Sequence, residues 1–312
     1  LTVNIARKYK NEVMEDFESI AAFLEAIDYP NLLNKNLVGL TLPNQPRLQG
    51  EFRVGPGAGS YTDGKKVMVG FNEFFLNQPQ TRIMAFEMAL RLHEVFHVYY
   101  TDFESFVKFQ QKIRQDLKDE FLGTPKERIA EQVGQFVAVG IFNGIEDGRI
   151  EFKGAFDVPG YRVVGEGFRA VWWEEQEVDT TRPELELSNY IFALVTYATM
   201  RVLPKGFYEY PKNHRVFNEL SKVKHLIEYA SRANTTKEFE RHAYEIYQVM
   251  REYVITLINE HTPEIEQSNI DFENTKAQKE QGEGEGEQQQ GNPFDSNQQQ
   301  QQQSSEQKED AE

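Results

Sequence analysis

Apolar residues recur every three to four positions through most of the chain, the spacing that gives a helix one buried face. The pattern predicts a first helix over 3–26 and a long one over 81–117. Another starts at Thr124, with Pro125 at its first position and Glu127 placed to close a capping box, and runs toward Asn143, with Phe152 as the alternative end. Helices are also expected over 184–203 and 214–232. A last one opens at the box formed by Thr235 and Glu238 and ends near His261. A Gly- and Pro-rich stretch, 39–59, separates the first two helices. It is followed by Lys66-Val67-Met68-Val69-Gly70-Phe71, short, apolar and partly β-branched behind Asp63-Gly64, which predicts a strand. Gly55-Pro56-Gly57-Ala58-Gly59 is expected to be a plain loop and not a phosphate cradle. No Gly-Lys-Ser/Thr follows it, and Pro56 removes a backbone donor. Together the elements predict a mainly α body with one small β element just before the central helix.

The helical pattern stops near Ile265. Beyond it come Gly282-Glu283-Gly284-Glu285-Gly286-Glu287 and a glutamine run from Gln298 to Gln303. The segment 266–312 holds 12 acidic and 3 basic residues, so it carries −9 of the net −16 and leaves the body at −7. A segment so poor in apolar side chains cannot offset its ordering entropy. It is therefore expected to be a disordered acidic, Gln-rich linker or tail, with 1–265 as the folded domain. A mildly acidic body without a basic stripe argues against a nucleic-acid partner, since phosphate contacts need clustered Lys and Arg. No run approaches the roughly 18–20 apolar residues of a membrane span. Leu1–Lys10 lacks the apolar core of a secretory signal, although a start on Leu and not Met leaves room for residues upstream. The chain has no cysteine, which fits the cytoplasm and excludes thiolate metal sites. Any transition metal would have to be held by histidine and carboxylate.

One motif changes the picture. The central predicted helix contains Leu92-His93-Glu94-Val95-Phe96-His97-Val98, an H-E-x-x-H pattern. Residues four apart share a helix face, so His93 and His97 can aim their ring nitrogens at one point, at the roughly 2.0–2.1 Å of a zinc–nitrogen bond. Glu94 lies beside them, placed to accept a proton from a zinc-bound water whose pKa is lowered toward about 7. His93 and His97 are thus candidate metal ligands for Zn2+, and Glu94 the candidate general base of a hydrolase. The competing reading is a chance match on a buried helix, although bare imidazoles and a carboxylate there would be costly without a partner.

A third ligand is needed. The position six residues past His97, which supplies it in one large class of zinc peptidases, is Phe103, so that class does not apply. Downstream, Asn143-Gly144-Ile145-Glu146-Asp147-Gly148-Arg149-Ile150-Glu151 offers carboxylates. Glu146 is the preferred third ligand, with Glu151 and Asp102 as alternatives. Asp147 or Asn143 would orient a ligand histidine from behind. The same segment also reads as a solvated helix face carrying a Glu–Arg pair.

These motifs in series resemble a bacterial and phage group of metallopeptidases found with von Willebrand factor A (VWA) domains, related to cobalt-chelatase-type VWA proteins. The resemblance rests on Thr62-Asp63-Gly64-Lys65, on His93-Glu94-x-x-His97 running into Tyr100-Thr101-Asp102-Phe103, and on Asn143-x-x-Glu146-Asp147-x-Arg149-Ile150-Glu151. It covers about residues 60 to 152. It implies a zincin-like α+β domain with a gluzincin-like site: His93, His97 and Glu146 on zinc, and Glu94 as base. It also implies a peptide or protein substrate, and a low-complexity acidic linker leading to a VWA domain or an associated ATPase partner. Phe96 departs from the pattern, since such motifs commonly carry a small Gly there.

Two function classes follow. One is a zinc-dependent peptidase. The other is a catalytically inactive, metal-stabilised assembly module working with a VWA or ATPase partner, in which Asp102 or His225 would close the fourth metal position. Other features carry less. The strand at 66–71 could be an edge for an extended substrate or a plain structural hairpin. His214, His225 and His242 read as surface or satisfied core histidines, with an oxyanion donor among them as the sharper alternative. Trp172-Trp173 reads as a core anchor at an element end.

Overall fold

The structure is a computed structural model that describes Glu18, residues 49–54, 59–62, 66–71 and 73–261. Apart from Glu18, the helix expected over 3–26 lies outside these residues, as do Gly55–Ala58 of the glycine-rich loop and the segment 266–312. The chain is mainly helical with one small sheet. It divides into two compact units, one holding 18–98 with 266–312 and the other 1–17 with 99–265.

In the first unit the described residues form three strands, β1 (Gln49–Val54), β2 (Tyr61–Thr62) and β3 (Lys66–Phe71), in the order β1-β3-β2. β3 is where the apolar run predicted it, but it is the central strand and not an edge. β1 pairs with it in parallel along its whole length, from Gln49 opposite Lys66 to Val54 opposite Phe71. β2 pairs with it antiparallel, Tyr61 opposite Met68 and Thr62 opposite Val67. β1 falls inside the stretch read as a Gly- and Pro-rich connection. Its alternation is masked by polar residues, and only the pairing reveals it. Val67, Met68 and Val69 are buried, as expected of a strand paired on both sides.

A short helix, α1 (Glu73–Leu76), follows, and then α2 (Gln80–Tyr100). The Pro79 carbonyl accepts the first amides of α2, from Arg82 and Ile83. Phe74 and Phe75 pack edge to face, and both rings meet Phe86, with centroids 6.2 and 5.9 Å away. From Met84 to His97 side chains are buried on nearly every side of α2, including Glu87, Arg91 and Glu94. Arg91 donates its Nε to Glu87 Oε1 over 2.6 Å, one turn away, which compensates two of those buried charges.

The described part of the second unit is helical: α3 (Phe103–Glu120), α4 (Glu127–Asp157), α5 (Tyr161–Glu175), α6 (Glu186–Met200), α7 (Arg215–Ala230) and α8 (Thr236–Glu260). The single helix expected over 81–117 is two. Asp102 breaks it by accepting the amides of Glu104 and Ser105, at 3.1 Å each, and so caps α3. α4 starts two residues later than the Thr124 box suggests. Glu127 reaches back to the Gly123 amide instead of closing on Thr124, and a turn fills the gap. At the start of α8 half of the expected box forms: Thr235 accepts from the Glu238 amide and caps the helix, while Glu238 reaches past it to the Asn234 amide, as Glu127 reaches to Gly123.

The 31-residue α4 is the axis of this unit and packs against α3 on one side and α6 on another. Its close approach to α6 depends on Gly140, Gly144 and Gly148, one per turn along one face. A β-carbon at these positions would lie 2.3 Å from Ile191 Cγ2, 2.3 Å from Val195 Cγ2 and 2.6 Å from the Ala198 carbonyl oxygen. α3 is tied to α8 by Asp116, which accepts from the Tyr247 hydroxyl and from Arg251 Nε. Among the described residues no helix is long and apolar enough to cross a membrane.

Candidate metal centre

α2 carries both histidines and Glu94. Its i, i+4 spacing sets the His93 and His97 rings edge to face with centroids 4.8 Å apart, as expected of two side chains one turn apart on one stripe. His97 is buried and His93 half-buried. Glu94 is buried on the neighbouring stripe, and Phe96 is wholly enclosed.

His93, His97 and Asp147 together could hold a metal ion. One ligand atom from each lies within 4.8 Å of the others. Two imidazoles and a carboxylate form the nitrogen and oxygen donor set that suits zinc, while imidazole also serves copper, iron and nickel. The donors therefore fit a divalent transition metal without naming the element.

Asp147 is the residue expected to act from behind the ligands, and Glu146, the preferred third ligand, is placed differently. Consecutive residues of an α-helix point about 100° apart. Glu146 faces the interior and is fully buried. Its Oε2 accepts from Arg149 Nε over 2.6 Å, and its Oε1 accepts from Arg149 Nη2 and from Thr101 Oγ1. The Glu–Arg pair foreseen as a solvated surface feature therefore exists, but in the core.

The two alternative carboxylates are also engaged elsewhere. Asp102 caps α3 and takes the Ser105 hydroxyl as well. Glu151 is ion-paired with Arg169 of α5. Burial pushes the Arg169 guanidinium down to about 10, against the pull of the Asp147 charge. Arg169 could not be placed from sequence because no pattern there predicted α5. Asp147 could not be told from Glu146 by spacing alone. The signal that separates them is the i, i+3 relation of Glu146 to Arg149, which marks Glu146 as the paired carboxylate.

The three other histidines considered as donors have local roles. His214 accepts the Val216 amide at the start of α7 and stacks on Tyr210. His225 meets the Tyr229 ring, and His242 bonds Glu245. Trp172 packs on Phe192, and Trp173 donates its indole N–H to the Leu203 carbonyl, both at the end of α5.

Compared with models of known protein families, with curated proteins and with solved structures, the chain matches none.

Proposed function

We propose that this chain is a zinc-dependent peptidase in which His93, His97 and Asp147 hold the ion and Glu94 is the general base. The observation that carries the reading is that ligand atoms of His93, His97 and Asp147 lie within 4.8 Å of one another, with Glu94 next to His93 in the chain. A zinc ion there would lower the pKa of a coordinated water toward about 7 and polarise a carbonyl. The chain's own residues supply the rest. His93 and His97 donate from one stripe of α2, so a single rigid element sets both ligands. Glu94, buried and one residue from His93, would take the proton of the attacking water and deliver it to the leaving amine. The resemblance to the VWA-associated group adds a peptide or protein substrate, and a VWA-domain or ATPase partner, to the proposal. Against the inactive-module alternative, Asp102 and His225, the residues named to close the fourth position, each have another task.

The test is metal stoichiometry by elemental analysis of the purified chain, beside a peptide-cleavage screen. Wild type should hold about one zinc per chain. Asp147→Asn and His93→Ala should lose it, while Glu94→Gln should keep it and cut turnover by roughly 10²–10⁴-fold. No zinc in the wild type after supplementation would sink the reading. Zinc lost in Glu146→Gln but kept in Asp147→Asn would move the third ligand to Glu146.

A further inference from the structure

The ion pair of Glu146 and Arg149 is fully buried, both side chains at 1% exposure. Burying two charges costs more desolvation than their attraction returns unless the geometry is excellent and every remaining donor is used, so such a pair is weak evidence for stability. Where the guanidinium points says more. Arg149 donates Nε to Glu146 Oε2 over 2.6 Å and Nη2 to Glu146 Oε1, and the same Nη2 donates over 2.6 Å to the carbonyl of Tyr100. Tyr100 is the last residue of α2, where helix carbonyls lack intrahelical donors and carry partial negative charge. A buried cation therefore sits on the C-terminal end of the helix that bears His93 and His97.

The same turn is gripped from the side as well. Thr101 donates its hydroxyl to Glu146 Oε1 over 3.0 Å. The Tyr100 hydroxyl bonds Asp157, and the Lys153 ammonium lies over the Tyr100 ring, 5.1 Å from its centroid. Glu146, Arg149, Lys153 and Asp157 follow one another at three- and four-residue steps, so they form a single stripe of α4 that holds Tyr100 and Thr101. His97 lies three residues before Tyr100, about 4.5 Å along the helix, and Asp147 two residues before Arg149, about 3 Å along its own.

We propose that Arg149, braced by Glu146, is a positioning residue for the candidate metal group, holding the last turn of α2, three residues beyond His97, on the helix that carries Asp147. The proposal rests on the reading of His93, His97 and Asp147 as a metal site. It makes Glu146 the brace of a clamp and not a ligand.

The test measures zinc affinity by competition with a chromophoric chelator, and the visible spectrum of the cobalt(II)-loaded protein, both well below the melting temperature. In Glu146→Leu/Arg149→Met both buried charges go together, so the variant should stay folded by circular dichroism. Its zinc affinity should nonetheless fall roughly 10–100-fold, with a shifted cobalt spectrum. Arg149→Lys keeps the charge but loses the planar fork, and should lose about tenfold. Glu146→Gln keeps an acceptor for Arg149 and should lose no more than about threefold. Wild-type affinity and an unchanged cobalt spectrum in the folded double variant would overturn the clamp while leaving the metal reading intact. Should the double variant not fold, wild-type affinity and spectrum in Arg149→Lys would overturn it equally. A hundredfold loss in Glu146→Gln with Arg149→Lys unaffected would make Glu146 a ligand and also overturn it. Zinc binding that survives both His93→Ala and Asp147→Asn would instead mark the metal reading itself as the failure.

Discussion

Asp102 shows how much one short side chain decides. Its carboxylate satisfies two of the first amides of α3 and takes the Ser105 hydroxyl, and these bonds hold it below the ordinary carboxylate range although burial opposes them. Asp102→Ala should cost about 1 kcal/mol of stability, measured by chemical denaturation, as for other N-caps. It should leave zinc stoichiometry unchanged, whereas on the proposed reading Asp147→Asn should abolish it. Loss of zinc in Asp102→Ala would make Asp102 a candidate ligand again. Glu146 and Asp147 make the same point about adjacent carboxylates. Both were visible in the sequence as acidic residues on one helix. Which of them turns into the core to meet Arg149 depends on a rotation of about 100° that composition does not encode.

At the scale of the element, α4 is defined by what its glycines allow. Gly148→Ala would gain helix propensity of about 1 kcal/mol. However, its β-carbon would lie 2.6 Å from the Ala198 carbonyl oxygen and 2.9 Å from the carbon it belongs to, and backbone cannot rotate aside. Overpacking of this kind costs about 1–3 kcal/mol. The net cost of up to about 2 kcal/mol should lower the melting temperature by up to roughly 8 °C, by scanning calorimetry. Gly160→Ala is the control: nothing lies within 4 Å of the added carbon, so stability should hold or rise slightly. A Gly148→Ala variant as stable as Gly160→Ala would mean that α4 and α6 can separate without cost. Sequence analysis did not single out Gly140, Gly144 and Gly148, because small residues four apart name no partner until α6 is seen against them.

At the scale of the whole molecule, pH acts through the tie between α3 and α8. Burial of Asp116 favours its neutral form, but the hydrogen bonds from Tyr247 and Arg251 outweigh that and hold its carboxyl below the ordinary range. A carboxylate depressed on folding contributes stability above its unfolded pKa of about 3.9, and loses it as pH falls through the folded value. Asp116→Asn should therefore destabilise the protein clearly at pH 7. Its gap to wild type should narrow toward pH 3, read from denaturant midpoints at the two pH values. A gap that stays constant would show that Asp116 is not the titrating tie.

Local, periodic and chemically specific features were determined by the sequence alone. The mainly helical class, the strand at 66–71, the Thr235 cap and the H-E-x-x-H pair on one helix stripe all follow from spacings of two, three or four residues, which backbone geometry converts directly into faces. Tertiary structure decided everything that depends on a neighbour distant in sequence. β1 is a strand because β3 pairs with it, and so β3 is central. Glu146 is neutralised because Arg149 and Thr101 reach it in the core. Ligand atoms of His93, His97 and Asp147 fall within 4.8 Å of one another, although 50 residues separate Asp147 from His97. Periodicity sets which way a side chain points, but only packing sets what waits there.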